Sequence, residues 1–160
     1  MSIPSHLSAY FDQRGARYEV CMHEHSRTSA QTAHSAHVPP SQLAKSVILE
    51  DETGCVMAVI PADQTVMIGE LGRMLGRNKL RLADEARIAM LFDDCDRGAV
   101  PPVGMAWGLE TIVDEALEAN DVIYMEGGDH ERLLRMSGEQ FHELMRTQLH
   151  GHFCKPATSH

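Results

Sequence analysis

The chain has 160 residues, 43% hydrophobic and 23% charged, the size and balance of one globular domain and not of a disordered polypeptide. Its formal charge of −9 argues against a broad nucleic-acid-gripping surface, since neutralising phosphates takes clustered Lys and Arg. No apolar run approaches the roughly 20 residues that cross a bilayer, and MSIPSHLSAYFDQRG lacks the basic and apolar regions of a secretion signal, so a cytoplasmic protein without a membrane partner is expected.

Ile3, Leu7, Tyr10 and Phe11 recur at helical intervals before Gly15, which predicts an opening amphipathic helix. Tyr18, Val20 and Met22 alternate as in a half-buried strand, and Thr28 is placed to cap an Ala-rich helix that Pro39 and Pro40 terminate. From Ala44 a hairpin is predicted: AKSVILE, a turn at DETG, then CVMAVIP, with Val and Ile favouring strands over helix. IGELGRMLG reads as a short helix, KLRLA as a strand, and DEARIAMLF as a helix with Asp84 near its start. DRGAVPPVGMAWG is rich in Gly and Pro and is expected to be an ordered loop. TIVDEAL, DVIYMEGG and RLLRMS read as strands, and GEQFHELMRTQ as a helix. Residues 1–148 are therefore expected to form a single domain and residues 149–160 a partly disordered tail. Helices and strands interspersed without a regular repeat predict an α/β (α+β) architecture, a mixed central sheet flanked by helices.

The chemistry is sought first among ten histidines. HEH at 23–25, HSAH at 34–37 and HGHFC at 150–154 look like ligand fragments, but none has the spacing of a zinc site, so no metal is expected. Cys21, Cys55, Cys95 and Cys154 are widely spaced with no C-x-x-C pair, which provides no disulfide framework, and buried inert thiols are the simpler reading. No G-x-S-x-G elbow, phosphate loop or dinucleotide fingerprint is present. Arg73, Arg77, Lys79 and Arg81 lie in one acid-free stretch, readable as a local cationic patch or as an ordinary charged surface.

Lys45 stands at the start of an apolar strand. By residue type alone it reads as a side chain snorkelling to water. Against that, GAVPPVG and EGGDH spend glycines and prolines on fixed turns, where backbone N–H groups can approach a ligand closely.

YEVCMHEHSRTSAQTAHSAHV, LAKSVIL, VIPADQTV, LGRNKLRLA, GAVPPVG and EGGDHERLLRMS, in that order, resemble the YbaK/EbsC family of aminoacyl-tRNA deacylases, which includes the editing insertion of bacterial prolyl-tRNA synthetases. The similarity runs from Tyr18 to Leu144. It implies that family's editing-domain fold with a curved sheet, and trans-editing hydrolysis of mischarged aminoacyl-tRNA: tRNA-Pro or another tRNA carrying a small wrong amino acid such as Ala, Cys, Ser or Thr. It implies further that Lys45, Gly98 and His130 are the catalytic candidates and that Ser46, Val100, Pro101, Gly127 and Gly128 bind substrate. The residue after the lysine is often Asn or Thr in the family, and here it is Ser46. Arg73, Arg77, Lys79 and Arg81 would then meet the tRNA. No cofactor and no DNA partner are expected; the partners would be the acceptor end of aminoacyl-tRNA and, in some settings, a synthetase. The alternative is a non-catalytic aminoacyl-tRNA or synthetase-binding module of the same fold.

Metal-free ester hydrolysis suits these residues, because a fixed cation and backbone N–H donors can stabilise a developing oxyanion. Lys45 would hold carbonyl, ribose or phosphate oxygens while amides around Gly98 and Val100 add donors. The attacking group would be a bound water, assisted by the substrate's own ribose hydroxyl. His130 is read either as orienting substrate and moving protons or as a hydrogen-bonding surface residue. His25 is given a structural role where the first strand turns into the helix.

Overall fold

The hairpin is the centre of the molecule. In the computed structural model, which describes residues 3–24 and 29–157, β2 (Leu43–Asp51) pairs antiparallel with β3 (Gly54–Pro61) from Ala44↔Pro61 to Asp51↔Gly54. Gly54 takes φ 136° at the turn, a conformation that favours a residue without Cβ. Preceding the hairpin are α1 (Ser5–Arg14), β1 (Glu19–Met22) and α2 (Ser29–Ser35). After it come β4 (Gln64–Val66), α3 (Ile68–Leu75), β5 (Arg81–Leu82), α4 (Glu85–Leu91) and β6 (Glu110–Asp114). β7 (Val122–Glu126), β8 (Arg132–Ser137), α5 (Gly138–Met145), β9 (Leu149–Gly151) and β10 (Cys154–Pro156) complete the order.

The main sheet has eight strands in the order β1-β8-β7-β2-β3-β6-β9, with β5 added against β2. It is mixed, as expected: β7, β6 and β9 run parallel to their neighbours β2, β3 and β6, and the remaining pairs are antiparallel. Strand alternation divides β2 between two cores. Ala44 and Ile48 join the larger core with Leu7 and Phe11 of α1 and Phe141, Leu144 and Met145 of α5. On the opposite face Leu49 packs with Ile60, Ile112, Leu71 of α3 and Phe153, while Leu43 packs with Tyr124, Leu133 and Ala33 of α2.

Residues 149–157, expected to start a loosely ordered tail, instead build β9 and β10, and Phe153 and Cys154 are buried. Three-residue strands are too short to show periodicity; what fixes them is Asp114, whose carboxylate accepts from the Phe153 amide at 2.8 Å. The same side chain accepts from the Ala116 amide at 2.8 Å, ending β6 and starting a 3-10 turn over Glu115–Leu117, where TIVDEAL had been read as one strand. Thr28 and His25, assigned a cap and a structural role, lie outside the described residues. No helix among the described residues is long and apolar enough to cross a membrane.

Candidate active site

One side of β2 carries β3 along the whole strand. The other side pairs with β7 only at Leu43↔Tyr124 and Ala44↔Met125, and with β5 only at Leu49↔Leu82 and Glu50↔Arg81. Between these pairings the sheet is split. Lys45 and Ser46 stand at the split, and β7 leaves β2 there at Glu126, beside Gly127. Ligand crevices in α/β proteins form where neighbouring strands part at their carboxyl ends.

The loop 96–103 fills one side of this split and is pinned along its length. Ser46 Oγ donates to the Val100 carbonyl at 2.9 Å, the His130 ring Nε2 meets the Arg97 carbonyl, and the Asp96 amide donates to the Gly128 carbonyl at 2.7 Å. Pro101 is buried, and its carbonyl accepts from the Val103 amide at 2.8 Å. Gly98 adopts φ 79°, as the tight turn from Asp96 to Ala99 requires. The loop's own bonds leave the amides of Arg97, Gly98 and Val100 without an acceptor among the described residues. Such amides, held at fixed positions, are preorganised donors for a developing negative charge.

Against the loop lies a cavity of about 1000 Å³ whose lining includes Ser46, Gly98, Val100 and His130, with the charged Glu85, Asp96 and Arg97. Ile48 and the side chains of Ala86, Ile88 and Phe92, on or next to α4, give it an apolar wall. The α4 wall was not recognised from sequence, because DEARIAMLF shows a helix but not what it faces.

Lys45 is not in this cavity. Alternation turns its side chain to the face of Leu43 and Val47, away from Ser46, so the two adjacent residues serve opposite faces. Burial pushes the Lys45 ammonium pKa down, opposed by the charge of Asp63 and the nearby Cys154. The Cys154 thiol is pushed up to about 12 by burial and by Asp114, and is therefore neutral. Lys45 is half-buried, where a charge acts at greater strength than at the surface.

On that same face sits a residue the sequence reading passed over. Glu126 follows Met125 one step beyond the β2–β7 pairing and opposes Leu133 on β8, which places it on the side of Lys45. It is 2% exposed, and among the described residues no cation or backbone amide hydrogen-bonds its carboxylate. Burial raises its pKa to about 7, tempered by the Thr32 hydroxyl of α2 and aided by the charge of Asp129. A lone acid ending the apolar run VIYM ahead of two glycines was the available signal.

The turn after β7 corrects two expectations. A Cβ on Gly128 would lie 2.6 Å from Pro4 Cγ, and one on Gly127 would lie 3.0 Å from the Arg132 Cβ and carbonyl oxygen. These glycines admit neighbouring protein atoms closely, which accounts for them by packing. Burial opposes ionisation of Asp129, but the amides of Glu131 and Arg132 and the Arg132 guanidinium outweigh it and hold the carboxyl below its usual range. His130, at φ 62° and 4% exposed, is a loop anchor as well as a cavity wall.

The cationic stretch is also partly redirected. Arg77 donates from Nε and Nη2 to the Asp51 carboxylate at 2.8 and 2.6 Å, and from Nη2 to the Gly54 carbonyl at 2.7 Å. It clamps α3 to the hairpin turn and holds the Asp51 carboxyl well below the usual carboxylate range. Arg73 pairs with Glu70 and Arg81 with Glu50, both with exposed guanidinium groups, and Lys79 is exposed. Among the described residues no group of His, Cys, Asp and Glu is arranged to hold a metal ion.

The fold is that of a mixed α/β domain, with a gap in its sheet beside a loop of unbonded amides and a half-buried lysine on the other face. Residues 23–144 match the model of the aminoacyl-tRNA editing domain, and the chain belongs to that family. No curated protein matches it significantly. Among solved structures, the hypothetical protein APE2540 superposes with a TM-score of 0.82 at 24% identity, covering 94% of this chain and 100% of that one. A protein proposed as a trans-editing enzyme for prolyl-tRNA synthetase superposes with a TM-score of 0.79 at 23% identity, covering 95% and 96%. These likenesses establish a shared fold.

Proposed function

We propose that the protein is a trans-editing hydrolase that cleaves the ester between a wrongly attached small amino acid and the 3′ end of a tRNA. The observation that supports this reading is the gap in pairing along β2, which has Lys45 on one face and the loop with the amides of Arg97, Gly98 and Val100 on the other. Family membership and the fold shared with a proposed trans-editing protein support it.

In this reading the ester carbonyl enters the split. Water adds to the carbonyl carbon, negative charge develops on its oxygen, and Lys45 and the loop amides stabilise that charge. The ester C–O bond then breaks; the ribose oxygen leaves with a proton, and the amino acid leaves as its carboxylate. A neighbouring ribose hydroxyl of the substrate assists the water. The cavity of about 1000 Å³ exceeds what a small side chain occupies and has room for the terminal nucleoside. A second hydrolytic site is chemically sensible, because one methylene gives a binding pocket only about 1–3 kcal/mol of discrimination. Lys79, with Arg73 and Arg81, forms the surface offered to the tRNA backbone, and a synthetase would supply the capture that a net charge of −9 does not favour.

The test is deacylation of a panel of charged tRNAs by the wild type and by Lys45→Ala. Release from at least one small-residue mischarged tRNA is expected, with Lys45→Ala slower by about 100–1000-fold. No release from any charged tRNA, or full activity in Lys45→Ala, would sink the mechanism. Binding of an uncleavable analogue without release from any tRNA would favour the non-catalytic module.

A further inference from the structure

Buried acids require partners, since an isolated charge in a low-dielectric interior is costly. Among the described buried acids, Glu50 meets Arg81 and Arg87, Asp114 accepts amides of Ala116 and Phe153, and Asp129 is held by Arg132. Glu126 is different. Among the described residues no cation and no backbone amide meets it, and the neighbours that influence its charge are Thr32, whose hydroxyl it contacts, and Asp129, a like charge. Lys45 is not among the groups that shift its ionisation, and the carboxylate that acts on Lys45 is Asp63.

The position of this carboxylate is as specific as its isolation. Parallel strands lie about 4.8 Å apart, and the register Leu43↔Tyr124, Ala44↔Met125 sets Lys45 and Glu126 as the next residues on the two lips of the split, on the same face. The opening therefore has a cation on one lip and an uncompensated acid on the other. An aminoacyl ester has the matching dipole: a carbonyl oxygen that becomes negative during hydrolysis, and an ammonium group on the adjacent carbon.

We propose that Glu126 receives the α-ammonium group of the aminoacyl ester at the split opposite Lys45, restricting the site to esters whose amine is free. The inference rests on the editing reading given above. It extends that reading to a substrate class: aminoacyl esters are accepted, and N-acylated or peptidyl esters are refused. An ammonium provides three N–H donors where Thr32 offers one hydroxyl, and charge-assisted bonds are strong in a dehydrated site. Admission of the amine opens the contact between Thr32 and the carboxylate.

Calorimetry with a 3′-aminoacylamino-3′-deoxyadenosine, the uncleavable amide of the ester, tests this without turnover. Wild type is expected to bind the free-amine form at least about tenfold more tightly than its N-acetyl derivative, the worth of one charge-assisted hydrogen bond. Glu126→Gln, isosteric and uncharged, is expected to bind both forms alike, with its far-ultraviolet circular dichroism unchanged. Equal binding of the two forms by wild type, binding of neither, or a preference that survives in Glu126→Gln overturns the proposal. The wild-type comparison needs no variant to fold. Amine discrimination without ester release would leave Glu126 in place and remove the hydrolase reading; ester release indifferent to N-acetylation would do the reverse.

Discussion

The loop 96–103 and the turn 127–130 interlock through the Asp96 amide and the Gly128 carbonyl, yet they use glycine for different purposes. Gly98, exposed at φ 79°, closes a turn and leaves its own amide open to a ligand. Gly128, buried at φ 102°, lies against Pro4 where a Cβ has no room. One glycine leaves a donor uncovered beside the cavity. The other serves packing, and through packing it fixes where Glu126 and His130 stand. A glycine-rich turn in a sequence announces a close approach without saying whether a ligand or the protein itself approaches.

The contrast is broken most directly by adding a methyl group at each position. Gly128→Ala is expected to cost about 3 kcal/mol, from left-handed backbone strain and overpacking against Pro4. Gly98→Ala should cost about 1 kcal/mol, from backbone strain alone, while losing more activity per folded molecule. Urea unfolding beside single-turnover deacylation separates them, and equal stability costs would erase the distinction. Next in size is Glu126→Gln. The wild-type carboxyl rises from 4.5 to about 7 on folding, so the folded state binds the extra proton. That acid's contribution is most favourable below about pH 4 and is lost as pH rises through about 7, a span near 3 kcal/mol. The variant should gain stability over wild type by about that amount between roughly pH 4 and pH 8; parallel pH–stability curves would show that the carboxyl is not strained by burial. Smallest is Ser46→Ala, which releases the Val100 carbonyl and should cost about 1 kcal/mol, with kcat falling more than KM rises. An unchanged kcat would mean that the loop does not need this tie.

The hairpin and most helices were legible because their periodicities are local: AKSVILE and CVMAVIP alternate, and Gly76 closes α3 in a left-handed cap where IGELGRMLG runs out. What was not legible depends on pairing across distance. β2 carries no mark saying that β7 leaves it after Ala44 and that β5 joins only at Leu49, so the split could not be read from the strand itself. Lys45 was singled out correctly as unusual for an apolar strand. Its separation from Ser46 was implicit in the period of 2 but was not applied. Glu126 was missed because attention went to the glycines beside it. Arg77 looked like a surface cation because its partner Asp51 is 26 residues away in sequence.

The small second sheet gives the chain an order of completion. β10 pairs with β4, Phe153 closes the core over Leu71 and Ile112, and Cys154 lies among the groups that act on the Lys45 charge. On a ribosome, β10 emerges after every other described element. Until it docks, Cys154 is missing from the surroundings of Lys45 and Phe153 from the core of Leu71 and Ile112.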